Sequence, residues 1–187
     1  MNTDKVYIIR WFGPFKSVEE VNTFEKEHKN TVCVLYMLQG MKKNAKLYDS
    51  YYCGQAKKGV YNRLTNKGHH IEEFSRLSAI WIGNISNIEP TPTDINYVEN
   101  ILTAEMADKF QKKFMLNKIN MNFPHFNIYV INVWHKTDTE RIKKYSSNSL
   151  ASEIPDLIGH EYYTEPTPYH RLFGAPKIQW LDIKIEG

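Results

Sequence analysis

The chain lacks most of the features that mark a specialised class of protein. Its two cysteines, Cys33 and Cys53, cannot make a four-ligand zinc site and do not form a C-x-x-C pair, so they read as reduced thiols in apolar strands. No apolar run approaches the roughly 18 residues of a membrane span, and Met1-Asn2-Thr3-Asp4-Lys5 lacks the basic-then-apolar layout of a secretory signal. A cytoplasmic location is therefore expected. Glycine and proline, at 9 and 8 of 187 residues, are too few for a fibrous or low-complexity chain. Charge of one sign is scarce as well. The 24 Lys and Arg against 21 Asp and Glu leave a formal net charge of +3, too slight to name nucleic acid as a partner.

What is present is core material and segregated charge. Hydrophobic residues at 42% and aromatics at 13% suffice for one packed core, and the length fits a single domain over 1–187. Basic residues gather at Lys42, Lys43 and Lys46, at Lys57, Lys58, Arg63 and Lys67, from Lys109 to Lys118, and around Arg141 and Lys143; acidic ones gather at 19–27 and 153–165. Each basic cluster alone reads as a solvated face. Together they are compatible with one positive surface.

The periodicity predicts an α+β chain, with a small mixed or antiparallel sheet flanked by helices. A strand over 6–12 ends at Gly13-Pro14, and Ser17 with Glu20 forms a capping box for a helix reaching His28. Segments 31–38 and 47–53 make a hairpin around a basic loop at 39–46. Gly54 to Gly59 turns into a short helix from Val60, closed by Lys67-Gly68. A strand at 79–85 and a long helix from Ile95 to about Leu116 follow. After that, 126–134 reads as a strand, 136–150 as a polar connection, 155–176 as loop-rich and 177–185 as a closing strand.

One constellation carries chemistry. Tyr36 and Tyr52 mark the two strands of the hairpin, Arg63 lies one turn into the next helix, and Glu99 stands on the edge of the long helix's apolar stripe, between Val98 and Leu102. Read singly, the tyrosines are ordinary sheet aromatics among 12 in the chain, and Arg63 is a surface residue covering Val60 and Leu64. Glu99 is more informative, because a carboxylate at the border of a core is costly unless a partner compensates it. Converging on one face, the four groups form a site able to cut a phosphodiester.

With these residues in place, the sequence resembles the GIY-YIG nucleases. Val34-Leu35-Tyr36 stands at the family's first motif and Tyr52-Cys53-Gly54 at its second. The stretch from Gln55 to Leu64 looks like the approach to its arginine, and Asn96-Tyr97-Val98-Glu99-Asn100 like the helix with its metal-binding glutamate. The predicted order of strand, strand, helix, strand, helix matches too. The resemblance covers 31–127, about half of the chain, and leaves 1–30 and 128–187 as accessory extensions. The sequence departs from the pattern at Val34, Leu35 and Cys53, and Gln55 stands where some members carry lysine.

The resemblance implies a DNA endonuclease with one divalent metal ion, Mg²⁺, on Glu99, of the type II restriction kind, and a homodimer if its site is palindromic. Arg63 would clamp the phosphate and Tyr36 would be the general base, its pKa lowered by nearby cations; Tyr52 would hold water or phosphate and His70 would share proton transfer. His69 competes with His70 for that place. Asn117 is taken as the family's asparagine ahead of Asn120, Asn122 and Asn127. Lys57, Lys58 and Lys67 are candidate nucleic-acid contacts, and Tyr162 to Arg171 a candidate recognition loop. Two other readings stand beside this one: a catalytically inactive nucleic-acid-binding protein of the same fold, and an unrelated interaction protein in which the four residues share no cleft.

Overall fold

The computed structural model describes residues 4–29, 34–117, 123–143, 145–146, 149–175 and 177. The elements in chain order are β1 (Lys5–Phe15), α1 (Val18–Glu27), β2 (Leu35–Lys42), β3 (Asp49–Gln55), α2 (Val60–Leu64), β4 (Phe74–Ile85), α3 (Pro92–Lys109), β5 (Ile128–His135), α4 (Leu150–Glu153), β6 (Leu157–Tyr163) and β7 (Tyr169–Ala175). Two single 3-10 turns, His70–Glu73 and Lys112–Phe114, complete the set. The strands form one mixed sheet in the order β3-β2-β4-β1-β5-β6-β7. The β1–β5 pair is parallel and the other neighbours run antiparallel. This is an α+β fold with a mixed sheet flanked by helices. No helix among the described residues is long and apolar enough to cross a membrane.

The segments expected as extensions contribute to this same sheet. Strand β1 lies inside it, between β4 and β5, and β5, β6 and β7 continue it to the far edge. Tyr7, Ile9 and Trp11 alternate onto the face covered by α3, where they join Leu35, Met37, Trp81, Val98, Ile101 and Leu102. Phe12 and Phe15 both join the opposite layer, with Val21, Phe24, Tyr36, Tyr52, Val60 and Leu64. A strand's side chains alternate with period two, so residues three apart share a face only across an irregularity. The register shift between Phe12 and Phe15 supplies it. Gly13-Pro14 therefore bulges β1 instead of ending it, and Gly13 admits no side chain there: a Cβ would meet Ile80 O and the Trp81 ring at 2.9 Å.

Ser17 caps helix α1, with Glu20 N donating to Ser17 Oγ at 3.2 Å, but the expected box does not close on it, because Glu20 Oε2 accepts from Lys16 N at 2.7 Å. Helix α3 begins three residues earlier than predicted, because Thr91 and Asp94 form the capping box and Pro92 takes the first turn. It stops at Lys109, and Phe114 belongs to the separate 3-10 turn. Asp94 also receives Lys5 Nζ at 2.7 Å and Tyr7 Oη at 2.6 Å, which fastens the start of α3 to β1. Burial alone would raise the Asp94 carboxyl, but these donors outweigh it and hold the group well below the usual carboxylate range.

The stretch 155–176 differs most from expectation. It is the β6–β7 hairpin, paired from Leu157↔Ala175 to Tyr163↔Tyr169. Its alternation is blurred because β7 stays largely exposed at the sheet edge. Of the expected strand at 177–185, everything beyond Lys177 lies outside the described residues, as do Cys33, Asn120 and Asn122.

Candidate active site

The site is built around the C-terminal end of β3, the edge strand on that side of the sheet. Tyr36 on β2 pairs in register with Gly54. A Cβ on Gly54 would lie 2.5 Å from Tyr36 Oη, 2.6 Å from its Cζ and 2.7 Å from Tyr52 Cε1. The glycine of the Tyr-x-Gly motif is thus a steric requirement: its missing side chain is the space that the Tyr36 hydroxyl occupies. The two tyrosine rings pack with centroids 5.8 Å apart.

Arg63 reaches this point on α2. Gly59, at φ 89°, offers α2 no side-chain cap, and the free N–H groups are met from elsewhere. Glu25 on α1 accepts from Val60 N at 2.7 Å and from Tyr61 N at 3.0 Å, a carboxylate at a helix N-terminus where negative charge is favoured. The guanidinium of Arg63 consequently stands beside the hydroxyls of Tyr36 and Tyr52.

His69 closes the same corner. Its ring nitrogen Nδ1 accepts from Ile71 N at 3.0 Å, and Nε2 lies 2.7 Å from Tyr36 Oη. A neutral imidazole with Nδ1 occupied as acceptor carries its proton on Nε2. His69 therefore donates to the Tyr36 oxygen. Burial, followed by the nearby Arg63 charge, lowers the His69 pKa to about 4, so the ring is neutral at pH 7. His70 takes another position: its Nδ1 pairs with Glu73 at 2.5 Å, and its ring packs on Tyr52 at 4.8 Å between centroids. Of the two histidines, His69 is the one bonded to the first tyrosine.

Glu99 approaches from the α3 side. Gln55, which ends β3, donates from Nε2 to Glu99 Oε2 at 2.8 Å and to Asn96 Oδ1 at 2.6 Å. Burial raises the Glu99 carboxyl above its ordinary value; Gln55 and the Arg63 charge oppose that shift without cancelling it. Asn117 does not enter the cluster with a free amide. It donates to Cys53 O at 2.6 Å and accepts from Cys53 N at 2.9 Å, standing in for a neighbouring strand along the open edge of β3. Asn127 lies elsewhere, accepting from Tyr162 N at 2.9 Å.

Tyr36, Tyr52, Arg63 and Glu99 therefore share one corner of the fold. The electrostatics of Tyr36 differ from expectation. Burial drives its hydroxyl well above the ordinary value and Tyr52 adds to the rise, whereas Arg63 pulls only partly the other way. One exposed guanidinium does not offset the desolvation of a fully buried phenol. Beside the corner opens a cavity of about 750 Å³, lined by Gln55, Lys57, Lys58, Asn62, Arg63 and Asn66 among others. Lys57 and Lys58 thus flank the arginine, while Lys67 is exposed and does not line that cavity.

Among the described residues no group of three or more His, Cys, Asp or Glu is placed to hold a metal ion. The donor set suits at most one hard cation on a single carboxylate, with water and substrate oxygens as its other ligands. Glu99 meets that condition: it is a half-buried carboxylate whose direct hydrogen-bond donor is a neutral amide.

Comparison of the chain with family models, curated proteins and solved structures finds no match. Two determinants of the corner escaped the sequence reading. Glu25 is 35 positions from Val60, and nothing local marks it as the cap of α2. Gln55, at a position where some GIY-YIG nucleases carry lysine, gives no local sign that, as the last residue of β3, its amide reaches the α3 carboxylate.

Proposed function

We propose that the chain is a divalent-cation-dependent endonuclease acting on DNA, of the GIY-YIG kind, and a restriction-type enzyme in particular. The observation that carries this reading is the convergence of Tyr36, Tyr52, Arg63, His69 and Glu99 around the end of β3, next to a cavity flanked by Lys57 and Lys58. Hydrolysis of a phosphodiester requires an aimed water, neutralised non-bridging oxygens and a stabilised leaving oxygen. Arg63 offers a planar, permanent cation to the phosphate. Glu99 would hold Mg²⁺, which supplies charge neutralisation at the leaving 3′ oxygen. Tyr36 accepts the N–H of His69 and is hydrogen-bonded to Tyr52 and Arg63, so from its buried place it orients the groups around the corner. Tyr52 lines the same corner, and His70, on its outer side, is the second imidazole within reach of it. Asn117 acts through β3, by fixing the edge strand that carries Gly54 and Gln55.

The experiment is plasmid digestion in Mg²⁺ by the wild-type protein, Glu99→Ala and Arg63→Ala. The reading expects cutting that is lost in both variants; undiminished cutting by both would remove the site. One observation favours a second reading, a nucleic-acid-binding protein of this fold without catalysis. Tyr36 is 0% exposed, and Gln55 already occupies one oxygen of Glu99. Salt-dependent binding of a plasmid that stays intact in Mg²⁺ would select that alternative.

A further inference from the structure

The β2–β3 hairpin ends in a tip unlike the rest of the surface. Leu47 is 80% exposed and Tyr48 63%, adjacent and at the end of two strands whose other apolar residues are largely buried. A lone exposed leucine needs no explanation. Here, however, Lys43 and Lys46 on the tip and Lys112 and Lys113 beside it are all exposed and make no ion pair among the described residues. The second lysine pair is held against the tip by Phe114, whose ring lies 5.3 Å from Tyr48 with Lys113 Nζ 4.9 Å above it. Of the nearby carboxylates, Glu73 pairs with Lys42 and His70 and Glu153 with Lys109, while Asp49, bonded to the neutral amide of Gln39 at 2.9 Å, keeps its charge at the base of the tip. The tip is thus an apolar wedge among four lysines that outnumber the one carboxylate, Asp49, at its base.

It is also joined to the candidate active site along one edge. From Phe114 the chain runs beside β3, with Leu116 N donating to Tyr51 O at 2.9 Å and Asn117 bound to Cys53. Asp49, just after the tip, and Gln55 are the two ends of the same edge strand. Seven residues of β3 at strand rise separate them by about 20 Å, which is about six base pairs of duplex at 3.4 Å each.

We infer that this tip grips duplex DNA away from the scissile phosphate, with Leu47 entering the minor groove as a wedge and Lys43, Lys46, Lys112 and Lys113 meeting the flanking phosphates. A short apolar side chain between basic residues matches the way proteins part a base step from the minor-groove side. A lipid surface fits less well, since one leucine and one tyrosine bury little area in a bilayer. The inference deepens the nuclease reading and rests on it for the choice of DNA as partner.

The test is fluorescence anisotropy of a labelled duplex, with wild-type protein in EDTA so that nothing is cut, repeated over a range of salt. Leu47→Ala should weaken binding about tenfold, from the lost apolar burial, with the salt slope unchanged. Lys46→Ala/Lys113→Ala should lower the salt slope by about 2. A 2-aminopurine reporter in the duplex should brighten with wild type and not with Leu47→Ala. All three positions are exposed, and melting curves of the variants should overlay the wild type. Wild-type affinity and slope in both variants would overturn the inference. So would binding to phosphatidylserine vesicles that Leu47→Ala abolishes while duplex affinity stays unchanged. Failure of the nuclease reading is seen separately, as an intact plasmid in Mg²⁺, and leaves the anisotropy result interpretable.

Discussion

Replacing Gly54 by alanine tests the steric account of the candidate site. The new methyl carbon would lie 2.5 Å from Tyr36 Oη, 2.6 Å from Cζ and 2.7 Å from Tyr52 Cε1, distances that van der Waals contact does not allow. The atoms it meets belong to rigid rings, and Tyr36 is fully buried with its oxygen held by His69. Relief must therefore come from moving the ring or parting β2 from β3. Overpacking of this kind costs about 1–3 kcal/mol, and the upper half of that range applies where no flexible chain end can yield. For a domain of this size each kcal/mol lowers Tm by roughly 2–4 °C, so a fall of about 4–12 °C is expected. Gly68→Ala is the control. A Cβ there meets nothing within 4 Å, but φ is +74°, so only the left-handed backbone penalty of about 1–2 kcal/mol applies. The Tyr36–His69 contact should be lost in Gly54→Ala and kept in Gly68→Ala, seen as a shift of the His69 ring resonances in the first variant alone. If Gly54→Ala melts with the wild type and leaves those resonances in place, the glycine is not what makes room for Tyr36.

Three further outcomes follow from the same geometry. Glu25→Ala leaves Val60 N and Tyr61 N without their acceptor; a loss of about 1–2 kcal/mol is expected, with faster hydrogen exchange at those two amides, and unchanged exchange there would remove Glu25 as the cap of α2. The unfolded chain protonates His69 at its ordinary value of 6.5, whereas the folded ring resists to about 4. Its contribution is therefore complete above pH 6.5 and drains as the pH falls toward 4, by up to about 3 kcal/mol; urea unfolding should show this slope in wild type and not in His69→Gln. Cys53 is fully buried and burial pushes its thiol up, so in a Cys33→Ser background maleimide should label it only through the unfolding transition, and rapid labelling of native protein would contradict that burial.

The parts of the fold legible in the sequence were those written in short-range signals. Ser17 with Glu20 announced α1, and the tyrosines, glycines and β-branched residues around Tyr36 and Gly54 announced the hairpin and the short helix after it. Boundaries slipped where a local signal had two physical outcomes. Gly13-Pro14 reads as a strand terminus, yet it bulges β1 so that Phe12 and Phe15 share a face. Thr91 and Asp94 start α3 earlier than its apolar periodicity does, because the cap and not the stripe sets the first turn. Illegible were the long-range pairings. The hairpin of β6 and β7 has a weak pattern because β7 is an exposed edge, and the parallel pairing of β1 with β5 joins segments more than a hundred residues apart.

For the candidate site, types and order of residues were readable while their connections were not. Tyr36, Tyr52 and Arg63 belong to the α2 side of the sheet, and Glu99 comes from α3 on the other side. Groups on opposite faces of a sheet are separated by the backbone layer between them, so they can meet only past a free edge or beyond a strand end. Here both conditions apply at Gln55, the last residue of the edge strand, where Gly54 adds no side-chain bulk and Asn117 satisfies the backbone of Cys53. Asn117 also answers the hazard of an open edge, since a paired Cys53 cannot recruit a foreign strand. Buried in the middle of the sheet, the same tyrosines and carboxylate would have been held apart. The placement of β3 at the edge, more than any one motif residue, is what lets Arg63 from one layer and Glu99 from the other reach the same corner.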